Sequence, residues 1–404
     1  MRALAIALAL TGCTQVKDEF VCSTDADCTT ASGATGHCES IQRCSYADTS
    51  CDTGSRYGDE AGITADRCTT IDDCIAEVRA GVDDTCVRRG DDTVWCWGDG
   101  ATEPRQIDVP DGAIAQLDNG GAGLCVRYAD GRLNCPSGLV PGDIAISARE
   151  VAIGATHSCA VTDDGHVACW GANDRGQLGD NSTNDRDTPA NVVELADVAQ
   201  VASGFKTSLA VTSSGEVWGW GDDSQGQIGR GIAPFDFNSV VPLRADADVA
   251  FAAVAVGDLF ACGLARDGAV FCWGDNDIGE NAQGGTSGEN DSPVLVGSLS
   301  SIVQIAAGGT HACALRGDGQ ALCWGRNGSH EATASGSDRL TTPELVVDSS
   351  GTPVLLHDIT AGARHTCGRT ADQGAVVCWG DNAMGQLGAT GDGAHPTAVP
   401  LACR

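Results

Sequence analysis

Cysteines recur in pairs at a nearly constant spacing, and this pairing constrains the fold more than any other feature of the sequence. The pairs are Cys86/Cys96, Cys125/Cys135, Cys159/Cys169, Cys262/Cys272, Cys313/Cys323 and Cys367/Cys378. The second cysteine follows the first by ten positions in every pair except the last, where it follows by eleven. Between Cys159 and Cys169, an Asp-Asp-Gly segment joins two runs of alternating apolar residues, which predicts a β-hairpin. Residues that face each other across a hairpin have close Cβ atoms, so each pair is predicted to form a disulfide.

The cysteines are also lost in pairs. In one further hairpin of the same kind both positions change together, to Leu209 and Gly219, which independent free thiols would not do. Disulfides persist in oxidising compartments. The 21 cysteines of the chain therefore predict a protein that is exported from the cytoplasm.

These hairpins belong to a repeat that runs through most of the chain. Each copy starts with an alternating strand that ends in glycine, at 75–81, 114–120, 148–154, 198–204, 251–257, 302–308 and 356–362. A Trp-Gly pair follows at Trp97, Trp170, Trp220, Trp273, Trp324 and Trp379, and the second copy has Cys135-Pro136 where Cys-Trp is expected. Seven copies of about four short strands predict an all-β fold, a seven-bladed β-propeller. A solenoid is the alternative arrangement.

Two segments precede the repeat. Residues 1–13 combine a positive start, an apolar run and a final Leu-Thr-Gly-Cys, which together predict a signal sequence. The final four residues resemble the lipobox of bacterial lipoproteins, and the resemblance implies that Cys13 carries the lipid. Residues 14–74 are rich in cysteine and poor in apolar residues, and we interpret them as a small disulfide-rich N-terminal module that forms a stalk; a recognition module is the alternative.

The propeller is predicted to occupy residues 75–404. The last strand of the chain stops where the first repeat would begin, so Cys403 is predicted to bond with Cys74 or Cys68 and to clasp the ring. The connectivity of the other N-terminal cysteines does not follow from the sequence.

The third copy resembles the RCC1 repeat. Its motif runs Val-Ala-Ile-Gly at 151–154, His-Ser at 157–158, and Trp-Gly-x-Asn-x-x-Gly-Gln-Leu-Gly at 170–179, and related motifs recur in the sixth and seventh copies. The resemblance covers about residues 75–404 and implies a seven-bladed propeller. The eukaryotic namesake of the family is an exchange factor for a small GTPase and binds chromatin. Neither role is expected of an acidic, disulfide-bearing exported chain.

Charge narrows the class of partner. The net charge is −31, and contacts to phosphate need Lys and Arg, so nucleic acid is not an expected partner. An anionic membrane surface is a poor partner on the same electrostatic grounds, which leaves the lipid anchor as the expected contact with a membrane. We expect a monomer that binds a protein or a polysaccharide, at the outer membrane or cell surface or otherwise in the periplasm or the medium.

Several side chains are candidates for a site. His157, His311 and His365 occupy one repeat position, which favours a structural histidine that is hydrogen-bonded within its own blade. The tryptophans of the Trp-Gly pairs are predicted to be core wedges between blades. The Asp-rich segment 180–187 has oxygen ligands suited to calcium but lacks the spacing of an EF-hand, so a solvated loop is favoured and no metal is expected.

Phe235 and Phe237 are the candidate binding residues. They lie in a polar loop of a chain with only 4% aromatic residues, which suggests an interface anchor. No catalytic motif is present in the sequence, so no catalytic residue and no cofactor are assigned. A binding module is the favoured function, and a propeller hydrolase or lyase that acts on extracellular glycans is the alternative.

Overall fold

The computed structural model describes residues 75–399, except for 232–236, 287, 372–373 and 389–392, together with short strands near the N-terminus. The N-terminal strands are β1 (Thr14–Val16), β2 (Glu19–Val21), β3 (His37–Cys38), β4 (Cys44–Ala47) and β5 (Ser55–Tyr57). Strands β1 and β2 form an antiparallel hairpin, and β3, β4 and β5 form a separate three-stranded sheet.

From Ile75 onward the chain folds into seven four-stranded antiparallel sheets, the blades of a propeller. Blade 1 consists of β6 (Ile75–Ala80), β7 (Asp84–Arg89), β8 (Val94–Gly98) and β9 (Ala101–Ile107). Blade 2 consists of β10 (Ile114–Gly120), β11 (Gly123–Tyr128), β12 (Leu133–Cys135) and β13 (Gly142–Ile144). Blade 3 consists of β14 (Ala148–Ile153), β15 (His157–Thr162), β16 (Val167–Gly171) and β17 (Arg186–Asn191). Blade 4 consists of β18 (Val198–Ser203), β19 (Thr207–Thr212), β20 (Val217–Asp222) and β21 (Asn238–Arg244). Blade 5 consists of β22 (Phe251–Val256), β23 (Phe260–Ala265), β24 (Val270–Gly274) and β25 (Asn290–Leu295). Blade 6 consists of β26 (Ile302–Ala307), β27 (His311–Arg316), β28 (Ala321–Arg326) and β29 (Arg339–Leu345). Blade 7 consists of β30 (Leu356–Ala361), β31 (His365–Thr370), β32 (Val376–Gly380) and β33 (Thr397–Ala398).

The ring is closed, which confirms the propeller and rules out the solenoid. The first strand of each blade lines the axis, and the first strand of blade 1, β6, contacts β30 and β31 of blade 7. Across this seam the Ala363 N–H donates a hydrogen bond to the Gly81 carbonyl, 3.1 Å away. The Arg369 guanidinium donates to the Ile75 carbonyl at 2.8 Å. Every blade uses four consecutive strands, so the ring closes through side-chain and backbone contacts and not through a shared strand.

The six predicted hairpin disulfides are present. Each joins the second and third strands of its blade, as between Cys159 and Cys169, which are register partners. The other bonds are Cys86–Cys96, Cys125–Cys135, Cys262–Cys272, Cys313–Cys323 and Cys367–Cys378. In blade 4, Leu209 stands directly opposite Gly219, so the apolar pair fills the same place in the core.

Tryptophans join successive blades. Five of them are almost completely buried and donate from Nε1 to a backbone carbonyl in the loop of the preceding blade, as Trp220 does to Gln177 at 2.8 Å. The other pairs are Trp273 with Gln227, Trp324 with Glu280, Trp379 with Ala332 and Trp97 with Gln386. The predicted role as wedges between blades is confirmed, and the last of these pairs spans the seam between blades 7 and 1.

Candidate interaction face

Strand order determines which connections share a face of the ring. Because the four strands of a blade are antiparallel, the turn after the first strand and the loop after the third strand lie at the same end of the blade. We call this end the loop face, and the opposite end, which carries the hairpin turns between second and third strands, the turn face. The loops after the third strand are long in blades 3 to 7 and short in blades 1 and 2, where they span only 99–100 and 136–141. The loop face is therefore uneven around the ring.

Side-chain hydrogen bonds hold the long loops in place. The buried Asn173 side chain accepts a hydrogen bond from the Leu178 N–H at 3.0 Å, five residues further on. The same bond recurs in the next four blades, with Asp223, Asn276, Asn327 and Asn382 as acceptors. Since each loop also accepts the bond from the tryptophan of the next blade, the described parts of the loops form a preformed surface, which can bind a partner with little loss of conformational entropy.

Glu280 occupies a position in this loop motif that holds glutamine in blades 3, 4 and 7 (Gln177, Gln227 and Gln386) and, in blade 6, Glu331, which is paired with Arg326. Its side chain is 1% exposed and accepts a hydrogen bond from the Ile278 N–H at 2.9 Å. Burial, and more weakly Asp275 and Asp277, raise the pKa of Glu280 to about 7. The carboxyl is therefore partly ionised near neutral pH, where blades 3, 4 and 7 have a neutral amide and blade 6 has a carboxylate paired with Arg326.

Substitution of Glu280 by Gln is expected to stabilise the protein, and the gain should grow with pH. A glutamate in the unfolded chain ionises near pH 4.5, whereas the folded chain keeps the proton to about pH 7. The folded state is therefore progressively disfavoured as the pH rises through this window, and the variant escapes this loss. The expected gain in the free energy of unfolding is about 3 kcal/mol at about pH 8 and close to none at about pH 4. Denaturant titrations at both pH values measure it.

The reverse substitution in blade 4, Gln227→Glu, is the matched control and should lose stability as the pH rises, because Gln227 is equally buried. A gain for Glu280→Gln that does not change with pH would contradict the assignment.

The centre of the loop face is a rim made by one residue from each blade, the residue that follows the glycine at the end of the first strand. These residues are Val82, Gly121, Ala155, Phe205, Asp258, Gly309 and Ala363, and they surround a pit of about 90 Å³. Most of them are small or apolar. Phe205 is the large one, and its side chain is 40% exposed. Among the described residues it is the only exposed aromatic side chain, in a chain with 4% aromatic residues.

Small residues are required beneath the rim. A Cβ on Gly204 would come within 2.4 Å of the Gly257 carbonyl oxygen, and one on Gly362 within 2.3 Å of the Gly81 oxygen. Because the backbones of neighbouring blades touch at this level, only the rim residues themselves can vary. Their side chains therefore determine what the centre of the loop face presents.

Acidic side chains group around the rim. In blade 1, burial and then the carboxylates of Asp99 and Asp83 raise the pKa of Asp84 to about 6. In blade 5, burial raises the pKa of Asp258 and also that of Asp275, to which Asp277 adds. The cations that directly follow a rim residue in the sequence are already paired, Lys206 with Asp174 and Arg364 with Asp381. In the described residues, no ion pair neutralises the acidic group of blade 5.

The histidines of the repeat link neighbouring blades. Nε2 of His157 lies 2.7 Å from the Ser208 hydroxyl of blade 4, and that hydroxyl donates to the Gln177 carbonyl at 2.9 Å. The hydroxyl must therefore accept from His157, whose Nε2 is protonated. Burial lowers the pKa of His157 to about 4, so the ring is neutral. His311 and His365 make the same bond to Thr366 and Thr85. The expectation of a bond within the same blade was wrong, because the ring nitrogen reaches across the interface between blades.

The other candidate residues have these positions. Phe237 is half-buried, and the Arg230 guanidinium lies 4.1 Å from the centre of its ring. Arg230 pairs in turn with the buried Asp223. Phe235, Cys13, Cys74 and Cys403 lie outside the described residues. In segment 180–187, Asp180 pairs with Arg186 at 2.7 Å, and in the described parts of the chain no cluster of His, Cys, Asp or Glu is placed to hold a metal ion.

An axial channel of about 270 Å³ lies among the first strands, and the carboxyl groups of Asp118 and Glu150 line it. The Ile153 N–H donates to Asp118 at 2.7 Å, and the Val201 N–H donates to Glu150 at 3.3 Å. Burial raises the pKa of Asp118 to about 6 and that of Glu150 to about 8. Both acids therefore bridge neighbouring blades. The repeat pattern does not show that Asp118 and Glu150 line one channel, because the two residues belong to different blades.

A family model described as RCC1-like domain matches residues 131–404. The human protein named probable E3 ubiquitin-protein ligase HERC4 is 39% identical to the chain over 244 residues, which make up 59% of this chain and 23% of that protein. The chain thus spans less than a quarter of the length of this relative. In the described part of the chain no helix is long and apolar enough to cross a bilayer.

Solved structures share the architecture. Yeast RCC1 (Prp20), in its complex with Kap60, superimposes with a TM-score of 0.63 at 18% identity, over 72% of this chain and 78% of that one. The CRINKLY WD40 ectodomain of the Arabidopsis thaliana receptor kinase ACR4 superimposes with a TM-score of 0.52 at 18% identity, over 81% and 99% of the two chains. These likenesses concern the fold alone.

Proposed function

Because the chain belongs to the RCC1-like domain family, we propose that it is a binding module whose loop face engages a partner protein. The observation that carries the proposal is the preformed loop face, with long braced loops and an exposed Phe205 at its centre. A propeller of the same fold, yeast RCC1, binds the protein Kap60. An exposed aromatic residue at the centre of a rigid surface is typical of binding hot spots.

The proposed location is outside the cytoplasm. Six disulfides within hairpins fit an oxidising compartment, and the proposed lipid at Cys13 would hold the chain at the outer membrane or cell surface. Residues 14–74 are proposed to serve as the stalk, with residues 75–404 as the binding module. In that setting the ubiquitin ligase activity named for HERC4 is not proposed for this chain.

Affinity capture from the native envelope tests the role of the loop face. The bait is the full chain, compared with Leu139→Arg/Met384→Arg on the loop face and Val303→Arg/Leu355→Arg on the turn face. The side chains of both pairs are 40–60% exposed, so neither variant should disturb the core. The loop-face variant is expected to lose the captured protein and the turn-face variant to retain it. Loss in the turn-face variant alone, or in neither, would contradict the proposal.

The second candidate, a hydrolase or lyase that acts on extracellular glycans, is supported by the presence of Asp118 and Glu150 in one channel. Paired carboxyls with separated pKa values can act as acid and base. However, both already accept backbone hydrogen bonds, and a channel of about 270 Å³ lies below the usual size of small-molecule sites, about 300–1,000 Å³. Glycan cleavage that is lost in Asp118→Asn/Glu150→Gln and kept in Leu139→Arg/Met384→Arg would favour this candidate.

A further inference from the structure

Phe205 and the acidic group of blade 5 lie side by side on the rim. The Phe205 N–H donates to the Gly257 carbonyl, 3.4 Å away, so its neighbour on the rim is Asp258. The Asp275 N–H donates to the Leu259 carbonyl at 2.9 Å, which holds the third loop of blade 5 against the same turn. Phe205 and Asp258 are therefore neighbours on the rim, and the loop segment that carries Asp275 and Asp277 is joined through its backbone to the turn that carries Asp258.

We propose that this part of the rim docks a basic, extended segment of the partner protein, with one apolar side chain in the pit beside Phe205 and Lys or Arg against the acids of blade 5. This inference rests on the proposed function and adds the site and the chemistry of the partner. Among the described residues, no cation pairs with Asp258, Asp275 or Asp277. Each carboxyl group can therefore form an ion pair with a cationic side chain of the partner.

The apolar pit and the negative charge of the chain both favour a basic partner segment that carries one apolar side chain. The pit of about 90 Å³ has Val82, Ala155 and Ala363 on its rim and offers room for one aliphatic side chain. Lys206 lies 5.6 Å from the centre of the Phe205 ring and is paired with Asp174, and 40% of the Phe205 surface remains exposed for contact. The net charge of −31 attracts a basic segment at long range and repels an acidic one.

The carboxyl groups of blade 5 also gain from a cation. Burial raises the pKa values of Asp258 and Asp275 because it disfavours their charged forms. An ammonium or guanidinium group within contact distance favours the ionised carboxylate again. Binding should therefore weaken as salt screens the pairs and as the pH falls through the raised pKa values of Asp258 and Asp275, because protonation removes the negative charges.

Selection of peptides tests the inference even while the partner is unidentified. A display library of random linear peptides is panned on the full chain, and the selected peptides are titrated against the full chain, Phe205→Ala and Asp258→Asn/Asp275→Asn. We expect an excess of Lys and Arg beside an aliphatic residue, and a loss of affinity of about tenfold or more in each variant. The control Val303→Ser/Leu355→Ser removes comparably exposed apolar side chains from the turn face and should bind as the unmodified chain does.

Three outcomes overturn the inference: no enrichment, enrichment of neutral or acidic peptides, or peptides whose binding survives both rim variants. Its failure is separable from failure of the proposed function. If Leu139→Arg/Met384→Arg abolishes capture of the native partner and Phe205→Ala leaves it unchanged, the loop face binds a partner elsewhere than at this part of the rim. Melting temperatures of all variants check that they fold, and an unfolded rim variant is replaced by Phe205→Ser or by Asp258→Asn alone.

Discussion

Replacing Trp97 by alanine is expected to lower the free energy of unfolding by about 4 kcal/mol. The indole is 1% exposed and packs in one cluster with Val78 of blade 1 and Leu387 of blade 7. Its Nε1 donates to the Gln386 carbonyl at 2.9 Å, so the truncation leaves a cavity at the seam of the ring and removes one of the two hydrogen bonds that this carbonyl accepts, the other coming from the Thr85 hydroxyl. Denaturation followed by circular dichroism, which does not depend on the tryptophan signal, measures the loss.

Trp220→Ala is the matched comparison, because Trp220 makes the same contact between blades 3 and 4, away from the seam. A closed ring predicts similar losses for the two variants. Trp95→Ala changes a half-buried tryptophan on the same strand as Trp97 and should cost only about 1–2 kcal/mol. If Trp97→Ala costs no more than Trp95→Ala while Trp220→Ala shows the full loss, blades 1 and 7 are not joined in solution.

Complete reduction of the disulfides is expected to unfold the protein. Each bridge closes a loop of about eleven residues and stabilises the fold by about 2–3 kcal/mol through restriction of the unfolded chain. The six loops do not overlap in sequence, so their contributions should add to about 12–18 kcal/mol. A typical domain has a total stability of about 5–15 kcal/mol, so the reduced chain should not refold.

The disulfides are also expected to be reduced slowly while the protein is folded. The twelve cysteines of the six hairpin bridges are 0–5% exposed, so a thiol reagent should react with these bridges slowly in buffer and rapidly in denaturant. Quantification of free thiols over time, together with circular dichroism, follows both effects. Cys159→Ala/Cys169→Ala removes one bridge and is the control, which should stay folded. A fully reduced chain that keeps its native spectrum would show that the repeat folds without its bridges.

The sequence predicts the architecture because periodic features repeat in register. Paired cysteines such as Cys159 and Cys169 identify facing positions on two strands, and the joint replacement of both cysteines in blade 4 identifies the same register without a bond. Tryptophan in the repeat is correctly predicted to be a wedge because a residue that recurs in most units must meet the same surroundings. Repetition thus specifies contacts within a blade and between successive blades.

Features that depend on one blade alone escape this reasoning. Phe205 follows an ordinary repeat glycine, and nothing in its neighbourhood distinguishes it from Ala155 or Ala363 until the seven turns meet around the axis. Phe235 and Phe237 became candidate binding residues because aromatic residues are rare in this chain. In the structure, however, the Phe237 ring packs against Arg230 of the same loop. The partner of His157 was missed for a different reason: the bond recurs at His311 and His365, but the hydroxyl group that each ring meets belongs to the next copy of the repeat.

Peptide mapping of the unreduced protein from its native source tests the central claim most directly. A ring that is held by disulfides outside the cytoplasm predicts that the peptides holding residues 159 and 169 are recovered as a linked pair, as are those of the five other hairpins. Free thiols at 159 and 169, or bonds between cysteines of different hairpins, would contradict the fold, the compartment and the rigid loop face together.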